Sequence, residues 1–266
     1  METRNKAALV AAKPIDHSSQ IFDLQKNLLR EYTKLSRVPE SVDLKTLDGQ
    51  NFIRYIIACL NTELAETYEQ YYTNYSLSQD PLFKHENYPD LLFAFNKEIG
   101  DVIHFAIELL IFSKIEYKEL ETFVEHKAIS QGYSAPRDED PFRLAHKLCL
   151  DELVSHGIIQ SLPRRPVYTN ADLMFLGGRV LAPEIISESE RLLWHVTCAM
   201  NLAGNTLKLK NWSSNSSVGD INAYTEKICE AFILLFRVFI IWGCSPESLF
   251  RVYSVSNYIN LERLKQ

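Results

Sequence analysis

Glycine is scarce in this sequence, with 9 residues among 266. Sandwiches and barrels need many tight turns, and glycine supplies the backbone conformations those turns use. The shortage argues against both, and against glycine-rich phosphate loops. Cysteine is sparse too. Cys59, Cys149, Cys198, Cys229 and Cys244 form neither a Cys-x-x-Cys nor a Cys/His zinc spacing. Most stand in apolar stretches and read as core thiols. An odd, scattered set predicts a reducing intracellular compartment such as the cytoplasm. An excess of positive charge is also missing. Lys and Arg number 28 against 34 Asp and Glu, a net charge of −6, which speaks against nucleic acid as a partner. The longest apolar run, AFILLFRVFIIWGC at 231–244, contains Arg237 and is too short to span a bilayer. The first residues, METRNKAALVAAKPIDHSS, hold no apolar run of signal-peptide length. No membrane association is expected.

What remains is helical nearly throughout, and the predicted fold class is an all-α bundle. Apolar and polar residues alternate at helical spacing over 18–36, through Ile21, Leu24, Leu28 and Tyr32. Asp48 is placed to cap a helix of about 50–72. Pro81 and Pro89 mark a loop, and an apolar helix follows from Leu91 to about Phe112. Weaker helices are expected over 116–129 and 142–156, the second stopping at Gly157. Helix returns over 184–208 and 221–242. Gly243 ends the latter, and Ser245 with Pro246 starts a final helix.

Two acidic pairs stand out against this pattern. Glu63 and Glu66 lie in NTELAETYEQ, and Glu98 and Asp101 lie in NKEIGDVIHF. Each is an i, i+3 doublet, so both carboxylates of a pair share one helix face. The flanking segments are apolar enough to be buried, and consecutive helices tend to be neighbours. Four carboxylates converging in a core repel one another unless a cation neutralises them. Mg²⁺, a hard cation that prefers oxygen ligands, is the natural candidate, with two or more ions expected. Bundle helices commonly build metal sites this way. Such ions can hold a polyphosphate and activate a water molecule. A solvated acidic face is the plain alternative for either pair taken singly. Glu69 reads as solvent-facing, and His104 as a core or outer-shell residue.

The order Glu-x-x-Glu, loop, Glu-x-x-Asp resembles the all-α nucleoside triphosphate pyrophosphohydrolases, which include MazG-type enzymes and dimeric dUTPases. EIGDVIHFAIEL (98–109) is similar to the dimeric dUTPase metal-binding helix. That likeness implies metal ligation by Glu98 and Asp101, with Glu63 and Glu66 as the partner pair. FDLQKNLL (22–29) resembles the family's first motif, which implies that Gln25 reads the base edge. NLAGNTLKLKNW (201–212) is similar to the stretch that implies Asn205, Lys208 and Trp212 near the nucleotide. YSVSNYINLERLK (253–265) resembles the C-terminal motif that implies sugar and phosphate contacts from Tyr253, Asn257, Asn260 and Arg263. The resemblance covers about 18–112 and 190–266. Residues 115–185 read as a family-variable insertion within one domain.

The sequence departs from the family at several places. Ser256 replaces a lysine, Leu264 replaces a glutamine, and Leu29 stands where an asparagine is frequent. YEQYYTNY replaces a tryptophan-rich patch, leaving Tyr71 or Tyr72 as candidate stacking residues. The implied activity is Mg²⁺-dependent hydrolysis of dUTP, or of a related pyrimidine triphosphate, to monophosphate and pyrophosphate by a homodimer. The competing expectation is a nucleotide-binding or scaffold protein that keeps the bundle and has lost turnover. A di-iron protein is disfavoured, since no Glu-x-x-His motif supplies the imidazoles.

Overall fold

Long stretches of helix-period apolar residues, interrupted by prolines and glycines, fix where helices begin and end. In the computed structural model the described residues are 17–78, 88–133, 140–157, 183–209 and 219–265, and they contain eight α-helices and no strand. These are α1 (His17–Lys34), α2 (Leu47–Ser78), α3 (Tyr88–Phe112), α4 (Tyr117–Ser130), α5 (Pro141–Ser155), α6 (Pro183–Thr206), α7 (Ile221–Ile241) and α8 (Pro246–Arg263). The expected all-α bundle is what the chain forms.

Helix ends follow local chemistry. Asp48 does not cap α2, as the sequence suggested. Thr46 does, with its hydroxyl accepting from the Gly49 amide at 3.1 Å. Asp48 falls in the first turn, where a carboxylate still faces the positive end of the helix dipole. α2 also runs on to Ser78, beyond the expected end near 72, because nothing before the proline loop breaks it. Gly243 (φ 78°) ends α7, and Ser245 caps α8 with Pro246 at its first position. α7 and α8 meet there at 99°. Among the described residues no single helix is long and apolar enough to cross a membrane. The apolar run in α7 is instead a core helix, with Phe232, Leu235, Phe236 and Phe239 buried.

Three packings position the candidate site. α2 and α3 lie antiparallel: Phe52 meets Phe112 edge-on at 5.0 Å, and Tyr71 meets Phe95 at 5.8 Å. α1 and α8 run parallel, with His17 stacked on Phe250 at 4.6 Å and Leu24 beside Asn257. α6 lies antiparallel along α2, where Tyr68 donates to Glu190 and Arg54 donates to the carbonyls of Leu207 and Leu209. The described part of 115–185 is built into the core. α5 packs on α7 through Phe142 against Phe232 and Phe236, and α4 contributes Leu120 and Val124.

Candidate metal centre between the second and third helices

The antiparallel register decides which acids meet. Counting inward from the Phe52–Phe112 and Tyr71–Phe95 contacts puts Glu63 opposite Asp101 and Glu66 opposite Glu98. Carboxylate oxygens of Glu63, Glu66 and Glu98 lie within 4.8 Å of one another. The cluster is less deeply set than four carboxylates in a core. Glu63, Glu98 and Asp101 are half-buried and Glu66 is exposed. The seam between the helices is occupied instead by Leu60, Leu64, Ile99 and Val102, and the acids flank it at the rim. A rim position lowers the desolvation cost that makes a buried acidic cluster expensive.

Lys97, which the sequence reading passed over, supplies a cation. Its ammonium donates to Glu98 Oε1 at 2.9 Å and to Asp101 Oδ2 at 3.1 Å. Burial opposes its charge, but these two bonds outweigh burial and raise its pKa. Its position, beside Glu98 and four residues before Asp101, is a legible i, i+4 pairing signal. The neutralisation is incomplete. The Glu63 carboxyl is pushed up from the ordinary 4.5 to about 7, first by burial and then by the charges of Asp101, Glu66 and Glu98. Glu98 Oε2 is buried and has no hydrogen-bond partner. An oxygen-only donor set, an orphaned carboxylate oxygen and a cation already drawn to the cluster fit Mg²⁺.

The raised carboxyl has a consequence for stability. A group that binds its proton more tightly when folded favours the fold below its unfolded value, and that contribution is lost as pH rises through the folded value. For Glu63 the window runs from 4.5 to about 7. Glu63→Gln, which carries no charge, should therefore melt above the wild type at pH 8 in EDTA. Little difference is expected at pH 4. Thermal melts across that range test this, and equal melting at pH 8 would count against it.

The other implied residues fall into separate places. Gln25, Tyr253 and Asn257 form one buried network between α1 and α8. Tyr253 donates to Gln25 Oε1 at 2.5 Å, and the Asn257 amide donates to the Tyr253 oxygen at 3.2 Å and to the Leu24 carbonyl at 3.3 Å. Gln25 and Tyr253 are fully buried, and Gln25 Nε2 has no partner. These side chains face one another and not an open cleft. Further along α8, Arg263 is exposed and donates to Asn260 at 3.4 Å. Tyr32 connects this end of α8 to the acidic cluster. Its hydroxyl is held up by burial first and then by Glu108, and it also feels Asp101, Arg37 and Arg263. Asn205 and Lys208 are exposed at the end of α6, by Arg54, roughly 14 Å along α2 from Glu63 at the rise of an α-helix. Trp212 lies outside the described residues.

Tyr71 is a core residue packed on Phe95 and Trp242, whereas Tyr72 is 49% exposed. His104, expected as a core or outer-shell residue, is buried and pairs with buried Glu108, which sequence reasoning missed, at Nε2–Oε2 3.3 Å. Glu108 extends the α3 stripe of Glu98 and Asp101, and that periodicity was the available signal.

Ser256 packs on Gly100. A Cβ added at Gly100 would lie 2.0 Å from Ser256 Oγ and 2.8 Å from its Cβ. α3 and α8 thus cross where two small residues meet. Gly100→Ala should destabilise the protein by about 1–2 kcal/mol, because overpacking outweighs the gain in helix propensity. Adding Ser256→Gly should recover most of it. Chemical denaturation of both variants measures this, and a stabilised Gly100→Ala would contradict it.

In comparisons with protein-family models, with curated proteins and with solved structures, the chain finds no match.

Proposed function

We propose that this protein hydrolyses a pyrimidine deoxynucleoside triphosphate, dUTP or a close relative, to the monophosphate and pyrophosphate with Mg²⁺. The observation that carries the reading is the convergence of Glu63, Glu66 and Glu98 within 4.8 Å across an antiparallel helix pair, with Asp101 alongside. The motif resemblance supports it. When bound, Mg²⁺ would neutralise polyphosphate charge and lower the pKa of an attacking water. The four carboxylates would hold the ions, two from each helix. In the metal-free protein the Glu63 carboxyl is pushed up to about 7, so its ligation of the ions would release a proton near neutral pH. Arg263, exposed at the end of α8, has the planar donor array suited to a phosphate. Lys208 is the second basic candidate, and Asn205, Asn260 and the Gln25–Tyr253–Asn257 network are candidates for the nucleoside.

Incubation with a panel of deoxynucleoside triphosphates and Mg²⁺ tests the reading. Pyrophosphate release from a pyrimidine triphosphate is expected, and none from any member, with the protein folded, would overturn it. A second reading is a nucleotide-binding protein with little turnover. It is favoured by Ser256, a buried uncharged residue packed on Gly100 that supplies no cation at that position. It predicts nucleotide binding without pyrophosphate release. The family likeness also supports a homodimer, and the free cysteines suit a reducing compartment.

A further inference from the structure

Lys97 is a cationic side chain hydrogen-bonded within the acidic cluster, and it touches two carboxylates at once. We infer that Lys97 is a tethered counter-ion: it holds Glu98 and Asp101 in the metal-free protein and is displaced when Mg²⁺ takes their oxygens. The inference rests on the metal reading proposed above and adds to it a competing group built into the chain.

The geometry sets up the competition. Nζ lies 2.9 Å from Glu98 Oε1 and 3.1 Å from Asp101 Oδ2, taking one oxygen of each carboxylate and leaving Glu98 Oε2 without a partner. Mg²⁺ binds oxygen at about 2.0–2.1 Å and demands near-octahedral geometry. An ammonium bonded to these two carboxylates keeps one oxygen of each from an ion and adds like charge beside it. Lys97 is also free to leave. Its side chain is 40% exposed, while those of Glu98 and Asp101 are 17% and 23% exposed. Four flexible carbons let the amine swing into water while its backbone stays in α3. The lysine therefore has opposite effects on two states. Without metal it relieves repulsion among Glu63, Glu98 and Asp101, and with metal present it opposes binding.

Isothermal titration of the full-length chain with MgCl₂ at fixed ionic strength tests this, using wild type, Lys97→Met and Lys97→Arg. Lys97→Met should bind Mg²⁺ about tenfold more tightly, the low end of what groups around metal ligands change. Lys97→Arg, which keeps the cation, should stay near the wild type. The EDTA-treated Lys97→Met protein should melt below the wild type, and its Mg²⁺-induced rise in Tm should be the larger. Amine-reactive labelling of the wild type gives a reading that needs no variant to fold: Mg²⁺ should increase modification of Lys97 relative to the other lysines. Equal or weaker Mg²⁺ binding by a folded Lys97→Met, or labelling of Lys97 that Mg²⁺ leaves unchanged in a wild type that binds the ion, overturns the inference alone. Absence of Mg²⁺ binding by all three proteins overturns the metal reading and the inference together.

Discussion

Asp101→Asn is expected to slow Mg²⁺-dependent pyrophosphate release by roughly 100-fold or more, and Glu66→Gln by a similar factor. Removing an outer partner of a metal ligand already changes affinity or activity by about 10–100-fold, and these substitutions remove a proposed ligand itself. Both are close to isosteric, so shape is retained while charge is lost. The two sites differ in what else should change. Glu66 is exposed, and its substitution should leave the metal-free melting temperature near that of the wild type. Asp101 is the largest single charge acting on Glu63, after burial itself. Neutralising it should let the Glu63 carboxyl fall back toward its ordinary value and raise the melting temperature at pH 8 in EDTA. A variant that is more stable and far less active separates chemistry from folding in one protein. Steady-state assays at several Mg²⁺ concentrations, with melts alongside, provide both readouts. Undiminished turnover by Asp101→Asn, with unchanged Mg²⁺ dependence, would remove Asp101 from the mechanism.

The acidic pairs were legible because they depend on local information: a three-residue spacing within an apolar helix, repeated on the next helix. The antiparallel meeting of those helices follows from their being consecutive. The start of α8 was also readable, since Ser245 and Pro246 act on their own helix. Where the deciding partner is distant in sequence, the pattern is silent. The motif resemblance assigns Gln25 to a base edge, and nothing local shows that Tyr253, more than two hundred positions away, donates to it in the interior. Tyr71 sits in the polar, aromatic stretch YEQYYTNY, yet Phe95 and Trp242 enclose it. Ser256 looked like a lost phosphate contact, and its packing on Gly100 supplies a steric reason for a small residue there. Lys97 was missed for a different reason. A lone basic residue beside an acidic motif normally belongs to a solvated face, and only the fold of its side chain back over Glu98 and Asp101 distinguishes it.

Asp140→Ala should be among the most destabilising single changes outside the acidic cluster, at about 2–4 kcal/mol. From sequence this residue belongs to a charged, proline-bearing break, where a substitution normally changes stability by no more than about 0.5 kcal/mol. In the fold Asp140 is buried and serves two helices. Its Oδ1 accepts from the amides of Phe142 and Arg143, capping α5, at 2.8 and 3.4 Å. Its Oδ2 accepts from the amides of His17 and Ser18, at the start of α1, at 2.7 and 3.2 Å, and the Ser18 hydroxyl donates to Oδ1. Amides in the first turn of a helix have no partner within it, and both helix dipoles present their positive ends to the same carboxylate. Removing one cap typically costs about 0.5–2 kcal/mol; here two are removed and their donors are left in the interior. Asp140→Asn separates the contributions, because its single carbonyl oxygen can serve one helix while its amide group turns donors toward the other. The expected order of melting temperatures is wild type, then Asn, then Ala. Thermal unfolding followed by circular dichroism should place the alanine variant roughly 4–16 °C below the wild type. The consequence reaches the proposed nucleoside-binding network between α1 and α8. α1 carries Gln25, and freeing its first turn loosens the helix against which Tyr253 and Asn257 are packed. If Asp140→Ala melts with the wild type, α1 is held by its apolar face and its bonds to Tyr253 and Asn257, and the segment before α5 has no part in positioning it.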